Sequence, residues 1–464
     1  MLDPPSTRSK QGYAKSLFAA GGARRLPKAS RYAIPDWCIP LAYSVAALVI
    51  GMVLPRLERR LFPDLVAPMS PSVAIAIDSS VASGMIALTG MVFALAFLMV
   101  QFSAVSYSPR LVPWIARDPL LTHAMGVFTA TFLYALAALA WVDRLGSGVV
   151  PFLSTAFVIL LLLISVGVFV RLVQRLRRLQ VQSILIFAGE LGRQVIDDVY
   201  PPLDAPCTHV MPEEFETLPI TQSLVVSGRP RTIQELNLDV LLHMAGTSGG
   251  TIEVVSAVGD TVSESVVLLR IYGGQRQVDE RGLLKAFVLG DERTFEQDPK
   301  YAIFLLVDIA IRALSPAVND PATAVQALDH IQDLLLRLGR RRLELGGFRD
   351  VNEHLRVIVP FPQWEDFVTL GLEEIRHYGS SSKHVMRRMG ALLNELIEAL
   401  PAERRPALRR EQERLQAAIT RSFPDHEEMM LAGIADRQGI GAPLNNRMPR
   451  SRIAADYDRG TSGA

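Results

Sequence analysis

"VPFLSTAFVILLLLISVGVFV", residues 150–170, runs for 21 residues without a charged side chain. A helix rises about 1.5 Å per residue, so about 20 apolar residues cross the roughly 30 Å hydrocarbon core of a bilayer. The same texture recurs upstream: charge-free stretches occupy 37–55, 79–109, 119–142 and 145–170, and none of comparable length follows Arg171. One such run can be the central helix of a soluble core. Four within a third of the chain predict an integral membrane α-helical fold, with transmembrane helices at about 37–55, 80–104, 120–142 and 150–170.

The composition points the same way. Of 464 residues 49% are hydrophobic and only 20% charged, with a mean hydropathy of +0.24, which is apolar for a soluble globular chain. A net charge of +1 gives no reason to expect a nucleic-acid partner, so the lipid bilayer is the expected one. A cleaved signal peptide is not expected, since 36 polar and basic residues precede the first apolar run and no small-residue cleavage pattern follows it.

Lys and Arg concentrate on cytoplasmic loops. Arg8 to Arg31 before the first span and Arg171 to Arg178 after the fourth put both termini in the cytoplasm. Arg110 and Arg117 agree with this orientation, whereas Arg56, Arg59 and Arg60 run against it. Trp37, Trp114 and Trp141 fall near the expected interfaces, as aromatic-belt residues do. Cys38 and Cys207 fall in different parts of this layout and are expected to be unpaired.

The chain divides into a basic disordered arm at 1–34, the membrane domain at 35–171, a helical connector at 172–216, a β-rich module at 217–280, a mostly helical cytoplasmic domain at 281–425 and a disordered tail at 426–464. From Arg171 a helix is expected to run out of the membrane as far as Pro201. "SLVVSG", "GTIEVVSAVGDTV" and "SVVLLRIYGG" are short β-rich runs broken by turns, read as a small barrel or sandwich-like module within a cytoplasmic α+β domain. Its layout looks like that of biotinyl and lipoyl carriers, but the turn lacks the lysine such carriers modify. Further helices are expected near 283–289, 300–314, 321–341, 364–377, 381–399 and 403–422, with a strand at 355–361.

The chemistry-bearing residues concentrate in 290–329, "GDERTFEQDPKYAIFLLVDIAIRALSPAVNDPATAVQALD". Asp308 and Arg312 are four apart with the acid first, which suits a same-face ion pair, on a helix apolar enough to be central and to bury them. Arg293, Asp298, Ser315, Asn319 and Asp320 are the surrounding ligand-binding candidates. A structural polar network accounts for the same residues, because buried ion pairs mimic sites. Pro316 closes one helix, and Asp320 with Pro321 suits the N-cap and first position of the next.

In the membrane part, Ser80 and Gly84 form a small-xxx-small pair, and Gln101, Ser103 and Arg110 are the membrane or pore candidates. No ionisable residue lies mid-span, which argues against proton-coupled transport. No zinc spacing, Walker loop, GxGxxG or GxSxG elbow is present, so no metal or cofactor is expected and no catalytic residue can be assigned.

"QFSAVSYSPRLVPWIARDP", "GVFTATFLYAL" and "LGDERTFEQDPKYAIFLLVDIAIRALSPAVNDPATAVQALDHI" resemble the hallmark segments of bacterial predicted membrane proteins grouped as domain of unknown function 2254, over roughly 35–425. The resemblance implies the topology, a bacterial inner-membrane location and no established activity. That family shows glycine where Ala317 stands, so the turn here is expected to need no positive φ. By the same analogy Arg110, Arg293, Asp298, Asp308, Arg312, Ser315, Asn319 and Asp320 are the positions of interest. Three functions fit: a homo-oligomeric channel-like or transport-related protein with a cytoplasmic regulatory domain for an unidentified small molecule or ion, a membrane-tethered enzyme using the 290–323 cluster, or a non-catalytic scaffold or signalling adaptor.

Overall fold

The computed structural model describes residues 37–62, 68–106, 119–142, 150–176, 181–204, 218–350 and 352–441. The chain divides into two compact units, one ending at Ser183 and the other beginning at Ile184.

The first unit contains α1 (Cys38–Leu61), α2 (Pro71–Ser106), α3 (Pro119–Leu139) and α4 (Phe152–Leu176). All four are long and apolar enough to cross a membrane, and only 17–39% of each apolar window is buried within the chain. Leu48, Val49, Phe93, Phe97, Leu163 and Val166 point outward, the reverse of a soluble bundle and the arrangement lipid favours. Inside lie Val81, Met85, Tyr134, Ala135, Ala138 and Val158. A Cβ on Gly51 would come within 2.6 Å of the Ala137 Cβ, so the absence of a side chain lets α1 and α3 approach closely. Thr131 and Ser165 hydroxyls, 2.9 Å apart, tie α3 to α4 in the interior.

The helices outrun the charge-free stretches from which they were read. α1 continues through Arg56, Glu58, Arg59 and Arg60, and α2 begins at Pro71, before Asp78. A charge near a span's end does not stop a helix, because long side chains can carry it to the interface. Cys38 is a free thiol, while Trp114, Cys207 and the 1–34 arm lie outside the described residues.

From Ile184 on, α5 (Val181–Val199) belongs to the second unit, and it buries Leu185, Ala188, Leu191, Val195 and Ile196 along one face. The helix expected from Arg171 is described over 171–176, the end of α4, and over Val181–Val199 as α5; residues 177–180 lie outside the described residues. Then follow β1 (Ile220–Val225), β2 (Arg231–Leu236), α6 (Leu238–Ser248), β3 (Thr251–Val254), β4 (Thr261–Val262), β5 (Val267–Tyr272), α7 (Glu280–Leu284) and β6 (Phe287–Gly290). Beyond these come α8 (Pro299–Ala313), α9 (Pro321–Gly339), β7 (Gly347–Arg349), β8 (Leu355–Ile358), α10 (Trp364–Tyr378), α11 (Lys383–Ala399), α12 (Arg405–Ser422) and α13 (His426–Gly433).

Among the described residues the strands form no closed barrel. They make a five-stranded sheet in the order β1-β5-β3-β8-β7 and a three-stranded sheet in the order β4-β2-β6. Residues of both sheets, among them Leu224, Ile233, Ile252, Leu269, Phe287 and Val357, share one core with Leu241 of α6 and Leu283 of α7. The module therefore extends past the expected 217–280 boundary. β8 pairs in parallel with β3, Ile252 opposite Val357, across the whole α8–α9 stretch. The helix expected at 283–289 is a short helix followed by strand β6, which hydrogen-bonds to β2.

α8 and α9 form the helical core with α10, α11 and α12. The amphipathic reading of α9 holds: Val325, Leu328, Ile331, Leu335 and Leu338 are buried. The expected disordered tail starts too early. Asp425 caps α13 by accepting from the Glu428 N–H at 2.9 Å, and Asp436 accepts from Gln438 and Gly441 N–H groups, giving 426–441 local order. Residues 442–464 lie outside the described residues.

Candidate functional site

The α8 region was expected to gather one polar cluster. The structure divides it into three groups. Asp298 stands at the N-cap of α8 and Ser315 just past its end, so they are separated by about 25 Å of helix.

The first group is the strongest. Arg293, in the β6–α8 loop, donates to Asp298 Oδ2 from Nε at 2.9 Å and from Nη2 at 2.5 Å, and its guanidinium lies over the Tyr301 and Phe304 rings. Asp298 is only 2% exposed. Burial pushes its carboxyl above the usual range, and Arg293 opposes that shift. Gln297 anchors the loop by accepting from the Leu236 N–H at 2.9 Å and donating to the Leu236 carbonyl at 3.2 Å.

The β3–β4 turn presses on this pair. Gly259 has φ +91°, and a Cβ there would stand 2.3 Å from Asp298 Oδ2 and 2.8 Å from Arg293 Nη2. Gly259→Ala is therefore expected to cost about 1–3 kcal/mol from the backbone conformation alone, before the clash is counted. Thermal unfolding of the purified full-length protein measures it, and a melting temperature equal to wild type would contradict the assigned packing.

Tyr200 Oη and Asp298 Oδ1 are both buried without a hydrogen-bond partner among the described residues. Burial and the Asp298 charge push the Tyr200 phenol well up. Both residues line a cavity of about 30 Å³ with Val258, Gln297, Lys300 and Phe361. That volume suits one water molecule; sites for drug-sized ligands are typically some hundreds of Å³. A wider hollow, about 460 Å³, lies at Pro202, Leu203, Asp204, Arg340 and Pro401 and is lined by none of the candidates.

The second group is Asp308 and Arg312. They pair as expected, but at 3.8 Å, and with side chains 20% and 32% exposed they sit at the rim of the core. The apolar texture of α8 placed the helix correctly and overstated the burial of its polar edge.

The third group is the helix stop and restart. Ser315 Oγ donates to the Arg312 carbonyl at 2.7 Å, and its own carbonyl accepts from the Asn319 N–H at 2.8 Å. Asp320 caps α9, accepting from the Thr323 N–H at 3.1 Å and from the Thr323 hydroxyl at 2.6 Å. The expectation of no positive φ is corrected: Asn319 carries φ +49°. The left-handed residue sits two positions after Ala317, and asparagine tolerates it better than most.

Of the membrane candidates, Gln101 is exposed on α2. Ser103 lies on the same helix, and Arg110 falls outside the described residues. The sequence reading missed two acids. Asp78, the eighth residue of α2, is fully buried, and neither carboxylate oxygen has a partner among the described residues. Glu58 on α1 is 3% exposed; its Oε1 accepts from the Leu153 N–H at 2.9 Å. Nearby, Tyr134 Oη lies 3.2 Å from Ser154 Oγ. Spans cut at the first charge placed both acids outside by construction. The missed signal was the apolar "VAIAI" at 73–77, which continues the span N-terminal to Asp78.

Four apolar helices in one unit, and a helical core with two sheets in the other, define a polytopic membrane protein carrying a large α+β domain. The chain belongs to the family described as predicted membrane protein (DUF2254), which it matches over residues 36–395. It is similar to an uncharacterized protein of Mycobacterium bovis and to one of Mycobacterium tuberculosis, each 27% identical over 368 residues covering 77% of this chain and 70% of the relative. No solved structure matches it.

Proposed function

We propose that the protein is a homo-oligomeric, channel-like or transport-related protein of the bacterial inner membrane, with both termini cytoplasmic and the α+β unit as its regulatory domain. One face of α2 carries this reading. Ser80, Gly84, Ala87, Met91, Ala94, Leu98 and Gln101, spaced three and four apart, are all exposed in the single chain. A face turned to lipid favours bulky apolar side chains, as on α4. Small residues flecked with polar ones suit close helix packing, here against another copy, or the lining of a polar path.

Cysteine crosslinking tests the association. In a Cys38→Ser/Cys207→Ser background, Ala87→Cys is expected to give disulfide-linked dimers in native membranes. Leu163→Cys, on the bulky face of α4, is expected to give none. Equal crosslinking at both positions, or none at Ala87→Cys, contradicts the α2 interface. Liposomes bearing the protein should then release a trapped ionic dye-quencher faster than empty ones, and Ala87→Trp should abolish the difference.

A further inference from the structure

We propose that Tyr200 and Asp298 bind one ordered water molecule, which bridges the chain just after α5 to the N-cap of α8. The site lies inside the second unit, so it is independent of the association proposed for α2.

Both groups are buried and border the same cavity. Tyr200 is 1% exposed and Asp298 2%, and both line the hollow of about 30 Å³ beside Gln297 and Lys300. Tyr200 Oη and Asp298 Oδ1 have no hydrogen-bond partner among the described residues, so they are not bonded to each other. A phenol and a carboxylate oxygen buried in this way cost free energy that hydrogen bonds recover. Where protein atoms do not reach, ordered water is the usual partner.

The chemistry selects a neutral molecule that both accepts and donates. Arg293 already places two N–H groups on Asp298 Oδ2, and Lys300 brings a second positive charge to the cavity, which disfavours a cation. The Asp298 carboxylate disfavours an anion. An ionised carboxylate can only accept, so the Tyr200 O–H donates to the water oxygen and the water donates to Asp298 Oδ1. The cavity is large enough for this and far too small for a metabolite.

The surroundings hold the pair in place. The Tyr200 ring is set edge-on against Phe361 at 6.1 Å and Phe367 at 6.2 Å, and the Gln297 amide is engaged with the Leu236 backbone. Val258, Lys300 and Phe361 are only partly buried, which gives water a route in and out. The charged groups acting on the pair are Arg293 and Lys300, which favour the Asp298 carboxylate, and Glu344, which together with Asp298 disfavours ionisation of the Tyr200 phenol. Deleting the phenol O–H loosens the water, so Asp298 should hold its proton more tightly in the folded chain. The cost then falls on the ionised form and grows as the pH rises.

The test uses the full-length protein in lipid nanodiscs. A structure at a resolution that shows ordered water is expected to place one about 2.6–3.2 Å from both Tyr200 Oη and Asp298 Oδ1. Tyr200→Phe keeps the ring and removes the hydroxyl. It should melt about 2–4 °C below wild type at pH 8, and the gap should close as the pH falls to 5. In an Asp298→Asn background the gap should lose its pH dependence. Without the water, removing an unpaired buried hydroxyl leaves stability unchanged or raises it. No water between the two groups, a larger molecule or a metal ion there, Tyr200→Phe as stable as wild type at pH 8, or a deficit that does not change with pH would each overturn the assignment.

Discussion

Arg293→Ala is expected to destabilise the second unit by about 3–5 kcal/mol, because it strands a buried carboxylate. Asp298 is 2% exposed and takes both of its side-chain hydrogen bonds from Arg293. Its carboxyl already lies above the ordinary range through burial, and losing the guanidinium raises it further. A carboxyl raised in the folded state holds its proton more tightly there than in the unfolded chain. Its contribution to stability is therefore present at acid pH and lost as the pH rises through the folded value. Arg293→Ala should come closest to wild type at acid pH and diverge above it, and adding Asp298→Asn should recover most of the loss at neutral pH. Denaturant unfolding across pH measures both. An unchanged Arg293→Ala with no rescue would mean that the pair is not structural and would return the enzyme reading to contention.

Phe367→Ala should cost a similar amount, about 3–5 kcal/mol, for a different reason: it empties a space in the core. Phe367 is fully buried on α10, and its ring meets that of Tyr200 edge-on at 6.2 Å. Tyr200 also packs edge-on against Phe361 at 6.1 Å, so this aromatic group fastens the chain just after α5 onto the helical core. The loss should appear in thermal unfolding and as faster amide exchange over 184–200. A change below about 1 kcal/mol would mean that the site collapses to fill the space.

The membrane helices were legible because about 20 apolar residues leave few alternatives, and α8 to α12 because their apolar period, caps and prolines agree. The strands were partly legible. β3 and β5 lie in short β-rich runs edged by Gly250 and Gly273, whereas β6 follows directly on α7 in a run that read as helix, and β7 has only three residues. The site was legible only locally. Spacing predicted the Asp308–Arg312 pair and the Asp320 cap, since both are contacts within a few residues. The pressure of Gly259 on Asp298 joins positions 39 residues apart, and the Glu58 bond to Leu153 spans 95. Neither leaves a trace in a local window. Asp78 was hidden by treating a charge as the end of a helix, although burial within a bundle is a place where an acid in a span acquires a use.

The parallel pairing of β3 with β8 has a consequence for the order in which the chain assembles. Ile252 cannot meet Val357 until the intervening residues have been synthesised, and long-range parallel pairing forms slowly. While the ribosome is still translating α8 and α9, β3 has only β5 as a neighbour, and its other edge stays open to any extended segment. The nascent protein therefore passes through an interval, ended by the arrival of residue 358, in which it is most exposed to mispairing with other chains.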